Sequence, residues 1–275
     1  MRARGSFGLT VAVAVLAAVL LFPLYWMLVT AVLPTAQVLA REPPLVPSLA
    51  DMSLRAFRTA FERRPLGTWL VNSMLVTIGA TTISLVIAAL AGYSLSRFRT
   101  RAQEITGLTL LLTKMLPGSL IVIPFFIMAS TFHLIDSLFA LMLANAAVGV
   151  PFATWLLKGF FDGIPRDLEQ AAMIDGCGHM TAFLYVIVPL ARPGLAACAI
   201  YLAIVTWSDF VFARTLINDS SRWTVTTGLV SFIGEHAIDW PALMAAGAIT
   251  MLPMAILFVL LEPFLVSGMT AGSQR

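Results

Sequence analysis

Apolar residues run almost unbroken over 7–31, 68–95, 105–128, 138–161, 194–217 and 241–266, and the polar residues gather in the stretches between. Each run reaches or exceeds the roughly 20 residues with which a helix crosses the hydrocarbon of a bilayer. The pattern predicts an all-α integral membrane protein with six transmembrane helices, forming one domain over 1–275. The first run follows Arg2 and Arg4, as in a secretory signal, but it exceeds the about 7–15 apolar residues of such a signal. It is therefore expected to be an uncleaved span, with Tyr25 and Trp26 near its far end where interfacial aromatic residues sit. The third run carries Pro117, Gly118 and Pro124, which predicts a kinked helix packed inside the bundle. Between the first two runs, Pro34, Pro43, Pro44 and Pro47 predict extended chain, and Leu54, Phe57, Ala60 and Phe61 a short amphipathic helix.

The polar stretch 162–193 breaks the second half of the chain, and its residues are those of a built surface. Pro165 suits the first turn of a helix, where its missing N–H is not needed. Asp167 and Glu169 place negative charge at the positive end of the helix dipole. Leu168, Ala171, Ala172 and Asp175 fall on one side at spacings of three and four, giving a narrow face of mostly small residues that a partner can approach closely. Gly176 is expected to end the helix in the left-handed conformation. A second short helix is expected from about His179 to Val188. An amphipathic hairpin lying on the membrane surface is the other reading of this stretch.

Composition and charge narrow the classes. With 59% hydrophobic and 11% charged residues, the chain departs from soluble domains, which carry about 25% charged residues. The net charge of +3 is spread along the loops, and no basic run with interleaved aromatic residues suggests nucleic acid. Cys177 and Cys198 give neither a metal spacing nor a disulfide framework and read as packing residues; His133, His179 and His236 lie far apart and outside any metal motif. The chain has no Gly-x-x-x-x-Gly-Lys-Ser/Thr phosphate loop, no paired carboxylates and no nucleophile with a base, so neither catalytic residues nor a metal site are expected. With the amino terminus inside, the inner side holds Arg2, Arg4, Arg97, Arg99, Arg101, Lys158, Arg166, Arg192 and Arg275. The outer side then holds Arg41, Arg55, Arg58, Arg63, Arg64 and Arg222, with Arg214 near the boundary, an excess of inner positive charge that favours this orientation.

Within the apolar runs a few polar residues stand out. Lys114 lies ten residues into the third run, about 15 Å along a helix. An ionisable group at that depth points to a water-lined path or a buried partner, and Asp209 in the fifth run is the nearest counter-charge by depth. Asn145, Trp155, Trp207 and Ser208 offer hydrogen bonds and aromatic faces of the kind a sugar needs, and equally serve as interhelical ties and interface anchors.

The order Glu169-Gln170-Ala171-Ala172, three residues, Gly176, then Val186-Ile187-Val188-Pro189 resembles the cytoplasmic coupling loop of ATP-binding-cassette importer permeases. In that family the loop reads Glu-Ala-Ala, three residues, Gly, nine residues, Ile-x-Leu-Pro; here Gln170 stands at the glutamate, and Val186 and Val188 replace Ile and Leu. Met115-Leu116-Pro117, Ile123-Pro124-Phe125-Phe126, Trp207-Ser208-Asp209-Phe210, Asp239-Trp240, Leu243-Met244-Ala245-Ala246, Leu252-Pro253 and Gly268-Met269-Thr270-Ala271-Gly272 are similar to the carbohydrate-uptake, maltose-type branch, in particular its six-span second permease. Glu262-Pro263 departs from it, standing where the family has Gln and a basic residue.

The resemblance implies a type I, MetI-like permease fold in the cytoplasmic membrane of a prokaryote, with both termini cytoplasmic. It further implies a second permease subunit, two ATP-binding subunits that hold the ATP and Mg while this chain holds no cofactor, an extracytoplasmic solute-binding protein, surrounding membrane lipid, and a carbohydrate substrate. Arg166, Leu168, Glu169, Gln170, Ala171, Ala172, Asp175 and Gly176 would meet an ATPase subunit, and Lys114, Asn145, Trp155, Trp207, Ser208 and Asp209 would face the path. A phosphorylated polyol such as glycerol 3-phosphate is the alternative substrate. An ion-coupled secondary transporter, which would show inverted repeats, and a membrane enzyme are the alternative classes.

Overall fold

The computed structural model describes residues 2–98, 100–115, 117–234 and 238–272. Arg99, Leu116, His236 and Arg275, named above, lie outside the described residues. Helices dominate, and the described residues form no strand, only an isolated bridge between Ile233 and Ile238. In a bilayer this follows from physics, because a helix satisfies its own backbone where no water can.

The chain divides into two compact units, residues 1–67 with 228–252 and residues 68–227 with 253–275. In the first, α1 (Arg2–Val32) carries Pro23 and is exposed along its apolar length from Leu9 to Leu24. Its carboxy-terminal end is tied down by the Tyr25 hydroxyl, which donates to the Leu45 carbonyl at 2.7 Å, and by Ser53 N–H, which donates to Val32 O at 2.8 Å. The expected amphipathic helix forms as α2 (Arg55–Glu62) and packs against α1; its outer face carries an Arg58–Glu62 ion pair at 2.8 Å.

The second unit is built on α3 (Leu66–Arg97), α4 (Arg101–Thr113), α5 (Gly118–Thr131) and α6 (Leu138–Asp162), followed by α7 (Arg166–Ile174), α8 (His179–Leu190) and α9 (Arg192–Trp207). Shorter helices α10 (Val211–Leu216) and α11 (Val225–Val230) lead to α12 (Trp240–Gly272). Ala88, Ala89 and Tyr93 of α3, Ala153, Leu157 and Phe161 of α6, Phe183 and Ile187 of α8, and Cys198 and Leu202 of α9 make one buried cluster. Small residues set its spacing: a Cβ at Gly92 would lie 3.0 Å from the Thr154 carbonyl oxygen, so only glycine lets α3 and α6 come this close. Close packing carries the weight here, since helix association within lipid gains little from the hydrophobic effect. A second cluster joins Val76, Val122, Leu141, Ala144, Phe212 and Leu216.

Among the described residues, four of the six expected spans appear as helices long and apolar enough to cross a membrane, and five if the pair His179–Leu190 and Arg192–Trp207, bent by 78°, counts as one. The third run is not one kinked helix but two. α4 ends at Thr113, and α5 begins after Pro117, whose ψ of 135° takes the chain out of helical conformation and whose nitrogen has no hydrogen to donate. Its halves pack differently: α4 buries only Gly107, whereas α5 sends Val122 and Ala129 into the second cluster. The fifth run breaks at Ser208–Phe210, where Asp209 starts α10 with its carboxylate. The sixth continues through Pro253 and Pro263 to Gly272, so residues 268–272, expected as a tail, are helical. The helix expected to end near Val188 runs to Leu190, past a π-helical stretch at Phe183–Ile187.

Candidate functional site

The polar hairpin forms as its sequence demands. Pro165, with φ −55° and ψ 135°, delivers the chain into α7, and Gly176 leaves it with φ +89°, the left-handed backbone that a side chain resists. Arg166, Leu168, Gln170, Ala171 and Asp175 are exposed, and Ile174, absent from the expected face, is 86% exposed. The outward face is therefore Leu168, Ala171 and Ile174 with Asp175 beside them. Ala172 and Glu169 turn inward, against the expectation that both would meet a partner.

Glu169 turns inward because α3 supplies everything its carboxylate needs. The Arg97 Nε donates to Glu169 Oε2 at 2.8 Å, with the two side chains 6% and 7% exposed, and the Tyr93 hydroxyl donates to Oε1. Arg97 reaches further with Nη2, which donates to the Ile164 carbonyl at 3.2 Å, while Arg166 Nη2 returns a bond of 2.8 Å to the Ser96 carbonyl. Tyr93 is fixed by Phe183, ring centroids 4.6 Å apart, and by the edge of Phe161. Tyr93 and Arg97 went unnoticed in the sequence as site residues. Their spacing of four, which puts both on one side of a helix a turn apart, was the available signal.

Beside this arrangement a cavity of about 780 Å³ opens between the end of α3, α4 and α6, lined in part by Arg97, Glu104, Trp155, Lys158 and Arg166. Trp155 belongs here and not with Trp207: its Nε1 donates to the Gly107 carbonyl at 3.1 Å, and Lys158, paired with Asp162 at 2.6 Å, lies over its ring.

The remaining path candidates gather around one stretch of α6, yet the expected Lys114–Asp209 pair does not form. Lys114 Nζ donates to the Val148 carbonyl at 2.6 Å. The Asp209 carboxylate accepts from Phe212 N–H at 3.2 Å, Ala213 N–H at 3.1 Å and Asn145 Nδ2 at 3.3 Å. Asn145 and Val148 are one turn apart, about 4.5 Å along the helix, so depth did bring the two charges to one level. Each found its partner in a broken helix end or a backbone carbonyl first. Trp207 is buried and Ser208 exposed at the break between α9 and α10.

The amino-terminal end of α3 carries a further set of ties that left no mark in the sequence. Trp69 Nε1 donates to Ser220 O at 2.9 Å, Asn72 Nδ2 to Ser221 O and Trp223 O at 3.0 Å each, and Val225 N–H to Ser73 Oγ at 2.8 Å. Asp136, with φ +60°, accepts from the N–H groups of Asn218 and Asp219. The Ser221 N–H, reinforced by the Arg222 guanidinium, holds the Asp219 carboxyl below the usual carboxylate range. Among the described residues no group of three or more His, Cys, Asp or Glu side chains is placed to hold a metal ion.

Comparison with known proteins bears on what such a surface serves. Residues 84–271 match the family model described as binding-protein-dependent transport system inner membrane component. The chain is 34% identical over 256 residues to the diacetylchitobiose uptake system permease protein DasC of Streptomyces coelicolor, covering 93% of this chain and 92% of that one. It is 33% identical over 224 residues to the maltodextrin transport system permease protein MdxG of Bacillus subtilis, covering 81% of each. Among solved structures, a chain of a bacterial ABC transporter involved in the import of the acidic polysaccharide alginate superposes with a TM-score of 0.82 at 21% identity, covering 96% of this chain and 98% of that one, which shows a shared fold.

Proposed function

The chain belongs to the family of binding-protein-dependent transport system inner membrane components, and from that premise we propose that it is a permease subunit of an ATP-binding-cassette importer that moves a carbohydrate or sugar derivative across the cytoplasmic membrane. The observation that carries the reading is α7, an exposed helix of nine residues, ended by the positive φ of Gly176 and held against α3 by a buried ion pair. A short helix presenting Leu168, Ala171 and Ile174 suits a groove on an ATPase subunit, a helix-in-groove contact in which small residues permit close approach. ATP and Mg belong to two such subunits, because this chain has no phosphate loop. A second permease, a solute-binding protein outside and cytoplasmic termini complete the assembly.

In this mechanism no residue of the chain breaks a bond. Closure of the ATPase pair on ATP displaces α7, and the helices tied to it carry the displacement into the span bundle, exchanging inward for outward access. The carbohydrate class rests on the similarity to the diacetylchitobiose and maltodextrin permeases. The test is ATP hydrolysis by the reconstituted complex with its binding protein, screened against di- and oligosaccharides and against glycerol 3-phosphate. Stimulation by a saccharide is expected. Uptake by this chain alone on an ion gradient would overturn the reading.

A further inference from the structure

We propose that α3 is a transmission strut, gripped at its inner end by the coupling loop and at its outer end by the loop Ser220–Val225, so that the outer loop moves with α7. The proposal rests on the reading of α7 as the ATPase contact and extends it to the opposite face of the membrane.

Three observations carry it. At the inner end the grip is reciprocal: α3 sends Arg97 and Tyr93 to Glu169 and Ile164, and α7 sends Arg166 back to Ser96. At the outer end, Trp69, Asn72 and Ser73 of α3 hold the backbone of Ser220, Ser221, Trp223 and Val225, and the Trp69 and Trp223 rings meet at 5.9 Å. Between them the helix is continuous, and it is the one membrane-length helix among the described residues without a proline: α1 has Pro23, α6 Pro151 and α12 Pro253 and Pro263. Proline removes ladder bonds and bends a helix, so α3 is the stiffest of the four.

From Asn72 to Arg97 the helix spans about 37 Å. Its two ends are held by different chemistry. The inner grip is ionic and buried, suited to a contact that must not slip under load. The outer grip uses side-chain amide, indole and hydroxyl groups on backbone atoms, which fixes the path of the loop irrespective of its side chains. A displacement of α7 along or about the α3 axis therefore reaches Ser220–Val225 without passing through the broken helices α4–α5 and α9–α10. A stiff helix clamped at each end makes the coupling loop and Ser220–Val225 parts of one rigid body, so that whatever positions α7 adopts are passed to the outer loop.

The experiment uses the full complex with its binding protein in proteoliposomes. Cys177 and Cys198 are replaced by serine, and a spin label is attached at Ser221→Cys. ATP is hydrolysed in the ATPase subunits, vanadate takes the place of the released phosphate and traps the ADP, and the change in label mobility is read per trapped nucleotide. The unmodified strut is expected to show a change on trapping. Asn72→Leu, which removes the outer grip far from the ATPase contact, is expected to reduce it about five-fold or more. Arg97→Met with Glu169→Leu, which removes the inner grip while filling the space, is expected to do the same. Combining all three should reduce it no further, because the grips act in series, whereas distant sites acting independently add. Glu169→Gln, whose amide oxygen accepts from Arg97 while its NH2 donates to the Tyr93 hydroxyl, should retain more of the change than Glu169→Leu. A label that responds in full in Asn72→Leu, or losses that multiply, would overturn the strut. So would trapping without any label change in the parent complex. Absence of trapping in the parent would instead sink the importer reading itself.

Discussion

Charged groups are satisfied in two ways in this chain. At the carboxy-terminal end of α3, Arg97 and Glu169 neutralise each other at 2.8 Å, both side chains buried. At the level of Asn145–Val148 on α6, Lys114 and Asp209 ignore each other: the ammonium takes a backbone carbonyl, and the carboxylate takes the free N–H groups that open α10. The difference follows from what each neighbourhood offers. Where α3 meets α7, the spare carbonyls of Ile164 and Ser96 take guanidinium donors, and the Glu169 carboxylate is answered by the side chains of Arg97 and Tyr93. The mid-chain breaks leave orphan donors that a carboxylate can cap, because the first four N–H groups of a helix have no partner within it. Full charge thus marks a rigid joint, and backbone-satisfied charge marks a broken helix.

The largest effect should come from breaking the joint on one side only. Glu169→Ala leaves the Arg97 guanidinium buried and unpaired, a loss of about 3–5 kcal/mol, whereas Arg97→Met with Glu169→Leu should recover most of it, since apolar replacement of a buried pair is often near neutral. Thermal unfolding of the purified complex reads the difference, and equal stability of the single variant and the parent would show that the pair is not buried. A smaller effect is expected at the exit of the same hairpin. No heavy atom lies within 4 Å of a Cβ built at Gly176, so Gly176→Val meets no clash, only the penalty of a positive φ, about 1–3 kcal/mol. Membrane insertion should persist while uptake falls, and normal uptake would detach the hairpin from transport. At the mid-chain break, Asp209→Ala should cost about 1 kcal/mol through the lost cap of α10, and Asp209→Asn less, since asparagine caps comparably. Equal unfolding temperatures for the two would remove the cap.

How much of this was visible in the sequence depends on how local each cause is. The α7 helix, its proline entry and glycine exit were readable because each is decided by residues within one turn. The helical spans were readable from hydropathy, but not their breaks: Pro117 and Asp209 each permit a kink or a full interruption, and the neighbours decide which. The inward turn of Glu169 was hidden because it depends on Tyr93 and Arg97, more than seventy residues earlier in the sequence. An acidic residue in a helical first turn reads as a solvated dipole partner until the helix that faces it is known. The outer grip was hidden for a second reason: Trp69 and Asn72 hold backbone atoms of Ser220, Ser221 and Trp223, and backbone acceptors leave no mark on the sequence.

The smallest expected effect tests the comparison most directly. Depth alone favoured a Lys114–Asp209 pair, and the two do arrive within a turn of each other along α6. Were they paired in a low-dielectric setting, removing either would strand the other, and the double variant would be far less damaged than the sum of the singles. With each satisfied separately, Lys114→Ala and Asp209→Ala should add to within about 0.5 kcal/mol in unfolding of the complex. A larger coupling would mean that the two charges sense each other across α6, and that Val148 O and the α10 N–H groups are secondary partners of an ion pair. Additivity would leave Lys114 with hydrogen-bonding capacity beyond its bond to Val148. Uptake in Lys114→Met then becomes the discriminating measurement between a donor that meets passing substrate hydroxyls and one that merely seals the α4–α5 break against α6: a raised half-saturation concentration marks the first, unchanged uptake with lowered stability the second.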